Sequence, residues 1–370
     1  MTKHRLRGRL AGLLTALTAV TVVLAGCGTD AGSGSSASSS PIEIWEGFTG
    51  TEATTFAHLV SEYQTEHPGV KVSSLYVNND DTLQKVLTAV RGGSTPDIAY
   101  LYGSWAPNVA QIPQVVNLTQ VVKRPGVNWD DFFTGERDVA TVNGKVIGIP
   151  ALVDNLAVVY NKKLFAAAGL PVPAAGLKSL ETLRTMSVTD KSMYLDPTDS
   201  AYANLFNSGK IGMLVTGPWD LSGFPNVDYG VQVMPSYPGT DGGHQTISGP
   251  DNWVVFNNGS ARVSAAEQFL LWLTAPAQVK YFSLKTGDLP TRSSVADQAS
   301  VIKAMNTVLP GDAAFVQNLA EVKQARPQIT QYPKISTILG TMIVSVLLGK
   351  SQPQAALDSA AQQVNAALAG

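Results

Sequence analysis

Apolar and polar positions along this chain follow two alternating periods. Ile42 to Trp45 is a short apolar run, and Phe56, Leu59, Val60 and Tyr63 then recur at helical spacing until His67-Pro68-Gly69 ends the pattern. Val70 to Val77 has strand character. Leu83, Val86, Leu87 and Val90 form a second helical stripe closed by Gly92-Gly93, and Pro96-Asp97 opens a third strand, Ile98 to Leu101. This β-α-β-α-β order predicts an α/β layer with a mostly parallel sheet, whose ligands sit at the carboxyl ends of the strands. Val142-Asn143-Gly144-Lys145-Val146 predicts a hairpin. Leu156 to Tyr160, Ile211 to Val215, Tyr229 to Val233 and Trp253 to Phe256 predict further strands, and the first of these leads into a helix ending near Gly169. Ser264 to Glu267 matches a capping box with Phe269, Leu270 and Leu273 behind it. The tail from Ala314 onward is helical in pattern. Its apolar stretch Ile335 to Leu348 has only 14 residues, which favours a buried helix over a membrane span.

Composition narrows the class. At 370 residues and 44% hydrophobic content the chain can bury a core, and its length favours two domains. A net charge of −2 gives no electrostatic case for nucleic acid as partner.

The N-terminus adds an address. Lys3, Arg5, Arg7 and Arg9 precede an uncharged stretch, Leu10 to Leu24, and then Leu24-Ala25-Gly26-Cys27. This resembles a bacterial lipoprotein signal peptide: residues 1–26 are removed and Cys27, the only cysteine, becomes the acylated first residue. The alternative, a membrane-spanning anchor, needs a longer apolar stretch. Residues 27–40 are almost all Gly, Ser and Ala, a tether reaching roughly 20 Å. The expected picture is an exported monomer held at the outer face of the bacterial cell membrane by lipid on Cys27.

Six stretches, in this order, carry a likeness beyond the signal: IEIWEGFTG, RGGSTPDIAYL, KVIGIPALVDNLAVVYNKKLFAAAGLP, FNSGKIGMLVTGPWD, ISGPDNWVVF and AAEQFLLWLTAPAQVKYFSLKTGDLPTRSSV. Together they resemble an extracytoplasmic solute-binding protein of an ABC importer, in the carbohydrate-binding family that includes maltose-binding protein. The resemblance spans nearly all of residues 41–370. It implies a two-lobe periplasmic-binding-protein type II-like fold with a hinged cleft, a carbohydrate ligand, and permease subunits as partners. It implies an N-terminal lobe of residues 41–150 plus 254–312 and a C-terminal lobe of residues 151–253 plus 313–370. One departure stands out. After Pro171-Val172-Pro173 such proteins continue with a Trp-containing helix, whereas here Ala174-Ala175-Gly176-Leu177 follows, so a segment of the second lobe is missing near 173/174.

A sugar site needs flat aromatics for the C–H faces and planar polar groups for the hydroxyl edges. Trp219 follows a strand end and a Gly-Pro turn, and the corresponding position stacks on sugar in maltose-binding relatives; the alternative is a ring capping the core under the turn. Asp220 fits a helix N-terminal charge better than a ligand contact. Asp154 and Asn155 lie at the first crossing between lobes, where relatives place an acidic sugar contact, or form a solvated loop pair. Ser104 and Trp105 follow the strand Ile98 to Leu101, though Trp105 would also serve to cover the lobe edge. Trp45 fits the core and Phe48 the cleft. Gly249, Asp251 and Asn252 precede a strand, where turn chemistry alone also accounts for them. Arg292 reaches either the cleft, a carboxylate of the other lobe, or a surface ion pair. Tyr332 comes from the last crossing, and Trp129 and Trp272 fit packing roles.

Other classes stay open. An exported α/β protein with Asp154 and Asp251 in one cleft would suit a glycoside hydrolase, and a binding protein for glycerol phosphate, a polyamine or a peptide is a third option. No Gly-x-Ser-x-Gly elbow, His-Glu-x-x-His or Gly-rich dinucleotide loop occurs. Gly349-Lys350-Ser351 mimics the end of a phosphate loop, but Val344 stands where the earlier glycine belongs. His4, His58, His67 and His244 lack metal-ligand spacing. No cofactor and no metal are expected.

Overall fold

The computed structural model describes residues 41–168, 179–195, 199–234, 248–320 and 326–369. The signal segment 1–26, Cys27, the tether to residue 40 and the junction at residues 173 and 174 lie outside the described residues.

The chain starts with β1 (Ile42–Glu46), the helix Gly50–Glu66, β2 (Val72–Tyr76), the helix Asn79–Gly92 and β3 (Ile98–Tyr102), in the expected alternation. The first helix buries Phe56, Leu59, Val60 and Tyr63, the positions that set its apolar stripe. Asn78 caps the second by accepting the Asp80 amide at 3.0 Å, and Gly93, at φ 68°, ends it. A hairpin of β4 (Thr141–Val142) and β5 (Lys145–Val146) turns through Asn143 and Gly144, both at positive φ, as a type I′ turn requires. Then come β6 (Ile149–Asp154), β7 (Ala157–Asn161), β8 (Met213–Thr216), β9 (Tyr229–Gln232) and β10 (Gly249–Val255).

Two main sheets result. The first has the order β2-β1-β3-β10-β6 and the second β8-β7-β9. β1 pairs in parallel with β2 and β3, while β10 runs antiparallel to both β3 and β6. The sheet is therefore mixed, and β10 begins at the edge where β3 and β6 end. Gly249 to Asn252, expected ahead of a strand, lie within it.

Both β6 and β10 belong to the first sheet, so the chain leaves that sheet after Asp154 and returns at Gly249. Val295, Val301, Met305, Leu309 and Phe315 pack with Val159, Phe206, Leu221 and Phe224 in one core cluster. The helix Ser260–Leu273 starts after Gly259, at φ 101°, which puts Ser264 inside it. Glu267 is not a capping residue but the partner of Arg124 at 2.7 Å.

The helices Tyr332–Leu347 and Pro353–Ala369 pair through Met342, Val346, Ala356 and Ala360. Leu339, Ile343 and Val344 remain exposed, so the stretch expected to be buried hides only one stripe. Among the described residues no helix is long and apolar enough to cross a membrane.

Candidate functional site

The strand directions bring polar residues to one end of the first sheet. β6 ends in Asp154, opposite Gly249 of β10, and β3 ends in Tyr102, opposite Asp251. The helix after β1 starts at the same end and places Glu52 in its first turn. Ala157 of β7, three residues past Asp154, pairs with Thr216, so β8 also ends there and delivers the turn Gly217 to Gly223. Leu289 bridges to Val153, which brings in Asp288. The helix Ala313–Ala320, whose Phe315 carbonyl accepts the Asn155 side-chain amide at 2.8 Å, brings in Asp312.

Asp251 is buried within β10, accepting the Tyr100 hydroxyl at 2.5 Å and the Gly103 amide at 3.2 Å. Its pKa is raised to about 6: burial pushes it up, and these bonds and the Arg326 guanidinium only partly offset the rise. Asp312 is raised to about 7 by burial and then by Asp288. Burial, then the charge of Asp288, also pushes Glu52 and Asp154 well above the usual carboxylate range. Asp288 itself is fully buried. The Thr286 hydroxyl beside it donates to the Phe282 carbonyl at 2.9 Å, and Asp288 and the Glu52 carboxyl face each other as a hydrogen-bonded acid pair. Asp154 Oδ1, Asp312 Oδ1 and Asn155 Oδ1 are buried without a partner in the protein. The site therefore offers several buried acceptors and few donors from the protein, an arrangement that a donor-rich solute would satisfy.

Trp219 is the candidate flat surface. Its indole is half-buried and folds back onto Gly217, where a Cβ would lie 1.9 Å from the ring. The glycine is the space the ring occupies. The same turn touches the first helix, with the Ser222 hydroxyl donating to Thr51 Oγ1 at 2.9 Å. Asp220 accepts the Thr216 hydroxyl at 2.6 Å and so braces the turn. Gly217→Ala is expected to displace the indole without unfolding the chain. Solute affinity should fall about tenfold or more, ~1.4 kcal/mol, in a binding titration, with the unfolding temperature nearly unchanged. Parental affinity would show that the ring's seat on Gly217 is unimportant.

Other expected site residues lie elsewhere. Phe48 is a core residue: its ring sits 5.3 to 5.8 Å from those of Phe56, Tyr100, Trp253 and Phe282. Arg292 reaches neither cleft nor surface. It is buried, bonded to the carbonyls of Thr274, Val127 and Asn128 and to Asp131, over the Phe132 ring. Ser104 is buried, and Trp105 packs against Tyr102 in the core behind β3. Asn252 is buried, its Cβ close to Gly148. Gly249 stays near the site, with the Arg326 guanidinium 3.5 Å from where its side chain would begin. Tyr332 is half-buried and opens the helix Tyr332–Leu347, which packs on the turn Gly103–Trp105. Trp45, Trp129 and Trp272 take packing positions.

Glu52, Asp288, Asp312 and Arg326 belong to this site and were not singled out from the sequence. The three acids carry at most a positional hint, each following a strand–loop or helix break.

The chain matches the sequence profile of the family described as bacterial extracellular solute-binding protein over residues 49–280. It is 25% identical to a binding protein of Brucella abortus over 384 positions, covering 85% of this chain and 89% of the relative. It is 22% identical to the sn-glycerol-3-phosphate-binding periplasmic protein UgpB of Pectobacterium atrosepticum, covering 88% of this chain and 91% of that one. Among solved structures, the cyclic alpha-maltosyl-1,6-maltose binding protein from Arthrobacter globiformis superposes with a TM-score of 0.65 at 27% identity, covering 89% of this chain and 99% of that one.

Proposed function

Because the chain belongs to the bacterial extracellular solute-binding protein family, we propose that it is the lipid-anchored receptor of an ABC importer, capturing a sugar or oligosaccharide between two lobes and handing it to the membrane permease. Its fold is the two-lobe α/β architecture of periplasmic binding proteins. One observation carries the sugar reading. The turn carrying the half-buried Trp219 follows β8 of the second sheet and reaches the helix bearing Glu52 through Ser222 and Thr51, which supports a cleft lined by that ring and by the buried acceptors Asp154 and Asp251 of the first sheet. Saccharides offer hydroxyl donors for such acceptors and C–H faces for the ring. The maltosyl-maltose-binding structure supports the same class. Solute bound by both sides favours the closed form only by its extra affinity for that form.

A calorimetric screen of mono- and oligosaccharides tests this reading. Trp219→Ala is expected to weaken the best ligand about tenfold or more; equal affinity would overturn the stacking role. The relation to UgpB raises glycerol phosphate as a solute, but a phosphate would enter among carboxylates, of which Arg326 acts on Asp251. A hydrolase reading requires product formation, and incubation with oligosaccharides is expected to release none.

The anchor belongs to the same proposal. Acylated Cys27 and the tether would hold the receptor beside its permease. Cys27→Ser is expected to release the protein from the membrane fraction; retention of the variant there would contradict lipid anchoring. The alignment with the Brucella relative spans 384 positions yet uses only 85% of the 370 residues here, so that relative carries segments this chain lacks. Exposed Met213 and Val215 on the edge strand β8 support a shortened second lobe.

A further inference from the structure

We propose that the solute carries a protonated amine, an amino sugar rather than a neutral one. This rests on the solute-capture reading above and adds the charge of the solute to it.

Four chain segments that are distant in sequence bring Glu52, Asp154, Asp288 and Asp312 together. Asp154 feels the charges of Asp288, Glu52 and Asp251, and Asp312 that of Asp288. Asp220 adds its field to Glu52 and Asp288. Among the described residues Arg326 acts on Asp251, whereas burial and neighbouring carboxylate charges raise Glu52, Asp154 and Asp312.

The hydrogen-bond account is an independent observation. One oxygen of Asp154, one of Asp312 and the amide oxygen of Asn155 are buried with no partner in the protein, while Asp288 is bonded to the Glu52 carboxyl. Asn155 is not acidic, and its amide nitrogen is already fixed on the Phe315 carbonyl. Folded proteins leave few such groups unsatisfied, and each one left calls for a physical explanation, of which a bound solute is one. Hydroxyl donors alone would satisfy oxygens without offsetting charge. An ammonium brings three donors and a positive charge, and charge-assisted bonds are the stronger ones. A phosphate ester would add charge of the wrong sign. No three carboxylates among the described residues are disposed to hold a metal ion, so the group suits an organic cation better than a divalent one. Trp219, next in sequence to the Asp220 whose charge acts on Glu52 and Asp288, offers a flat face for a ring on the same solute.

The test is calorimetry on the full chain with glucose, N-acetylglucosamine, glucosamine, the β-1,4 disaccharides of the last two, and spermidine. Glucosamine or its disaccharide is expected to bind at least tenfold more tightly than the acetylated partner of the same size. In Asp288→Asn that ratio is expected to fall toward one. Asp312→Asn serves as the second variant if the first fails to fold, each being checked by thermal unfolding. If the neutral or acetylated sugar binds as tightly, the amine proposal fails while sugar capture stands. If spermidine binds and no sugar does, the amino-sugar assignment and sugar capture both fail, as they do if no compound binds.

Discussion

Arg292→Ala is expected to lower the unfolding free energy by about 4 kcal/mol, read as a shift of the urea midpoint. Arg292 is 3% exposed and ties three segments together. Its Nε donates to the Thr274 carbonyl at 2.5 Å, and its Nη1 and Nη2 donate to the Val127 carbonyl, both at 3.2 Å. Nη1 also meets the Asn128 carbonyl and Asp131, and the guanidinium lies 3.9 Å from the Phe132 ring centre. Truncation leaves buried carbonyls without donors, each costing about 1–3 kcal/mol, and Asp131 without its cation. Lysine is expected to recover less than half of the loss, because one ammonium cannot reproduce the planar fork. A loss under about 1 kcal/mol would show that the clamp is dispensable.

The second large effect is on pH. Burial raises the Asp312 carboxyl from the ordinary 3.8 to about 7 and Asp251 to about 6. A carboxyl raised by folding holds its proton longer in the native state than in the unfolded chain. The native state therefore binds more protons between pH 4 and 7, and stability falls as pH rises through that window. For Asp312 the full gap corresponds to about 4 kcal/mol, an upper figure at this burial. Glu52 and Asp154 act in the same direction. Asp131, held below its ordinary value by Ser293, Ser294 and Arg292, acts oppositely, but only below about pH 4. The ligand-free protein is thus expected to melt several degrees higher at pH 5 than at pH 8. A higher melting temperature at pH 8 would mean that the carboxyls are solvated or paired.

The first half of the fold was legible because local signals agree there. Apolar runs, two helical stripes and Gly or Pro breaks mark β1 to β3 and their helices, and the Asn143-Gly144 hairpin announces itself. β10 shows where local chemistry misleads. Gly249-Pro250-Asp251-Asn252 has turn composition, yet it forms a strand because Tyr100 and Gly103, some 150 residues away in sequence, satisfy Asp251 inside the sheet. Phe48 and Trp219 both follow strand ends, and no local feature distinguishes them. Four surrounding rings decide one position, and the space above Gly217 the other. Glu52 looks like a helix-start charge, Asp288 a turn residue and Asp312 a loop acid, and only tertiary folding makes them one group.

Hydrogen–deuterium exchange with the best-binding saccharide at saturation tests the two-sided capture most directly. Slowed exchange is expected at once in residues 50–55 and 249–252 beside the first sheet and in residues 216–222 beside the second. Protection confined to one side, or none at 216–222 with the saccharide bound, would contradict it.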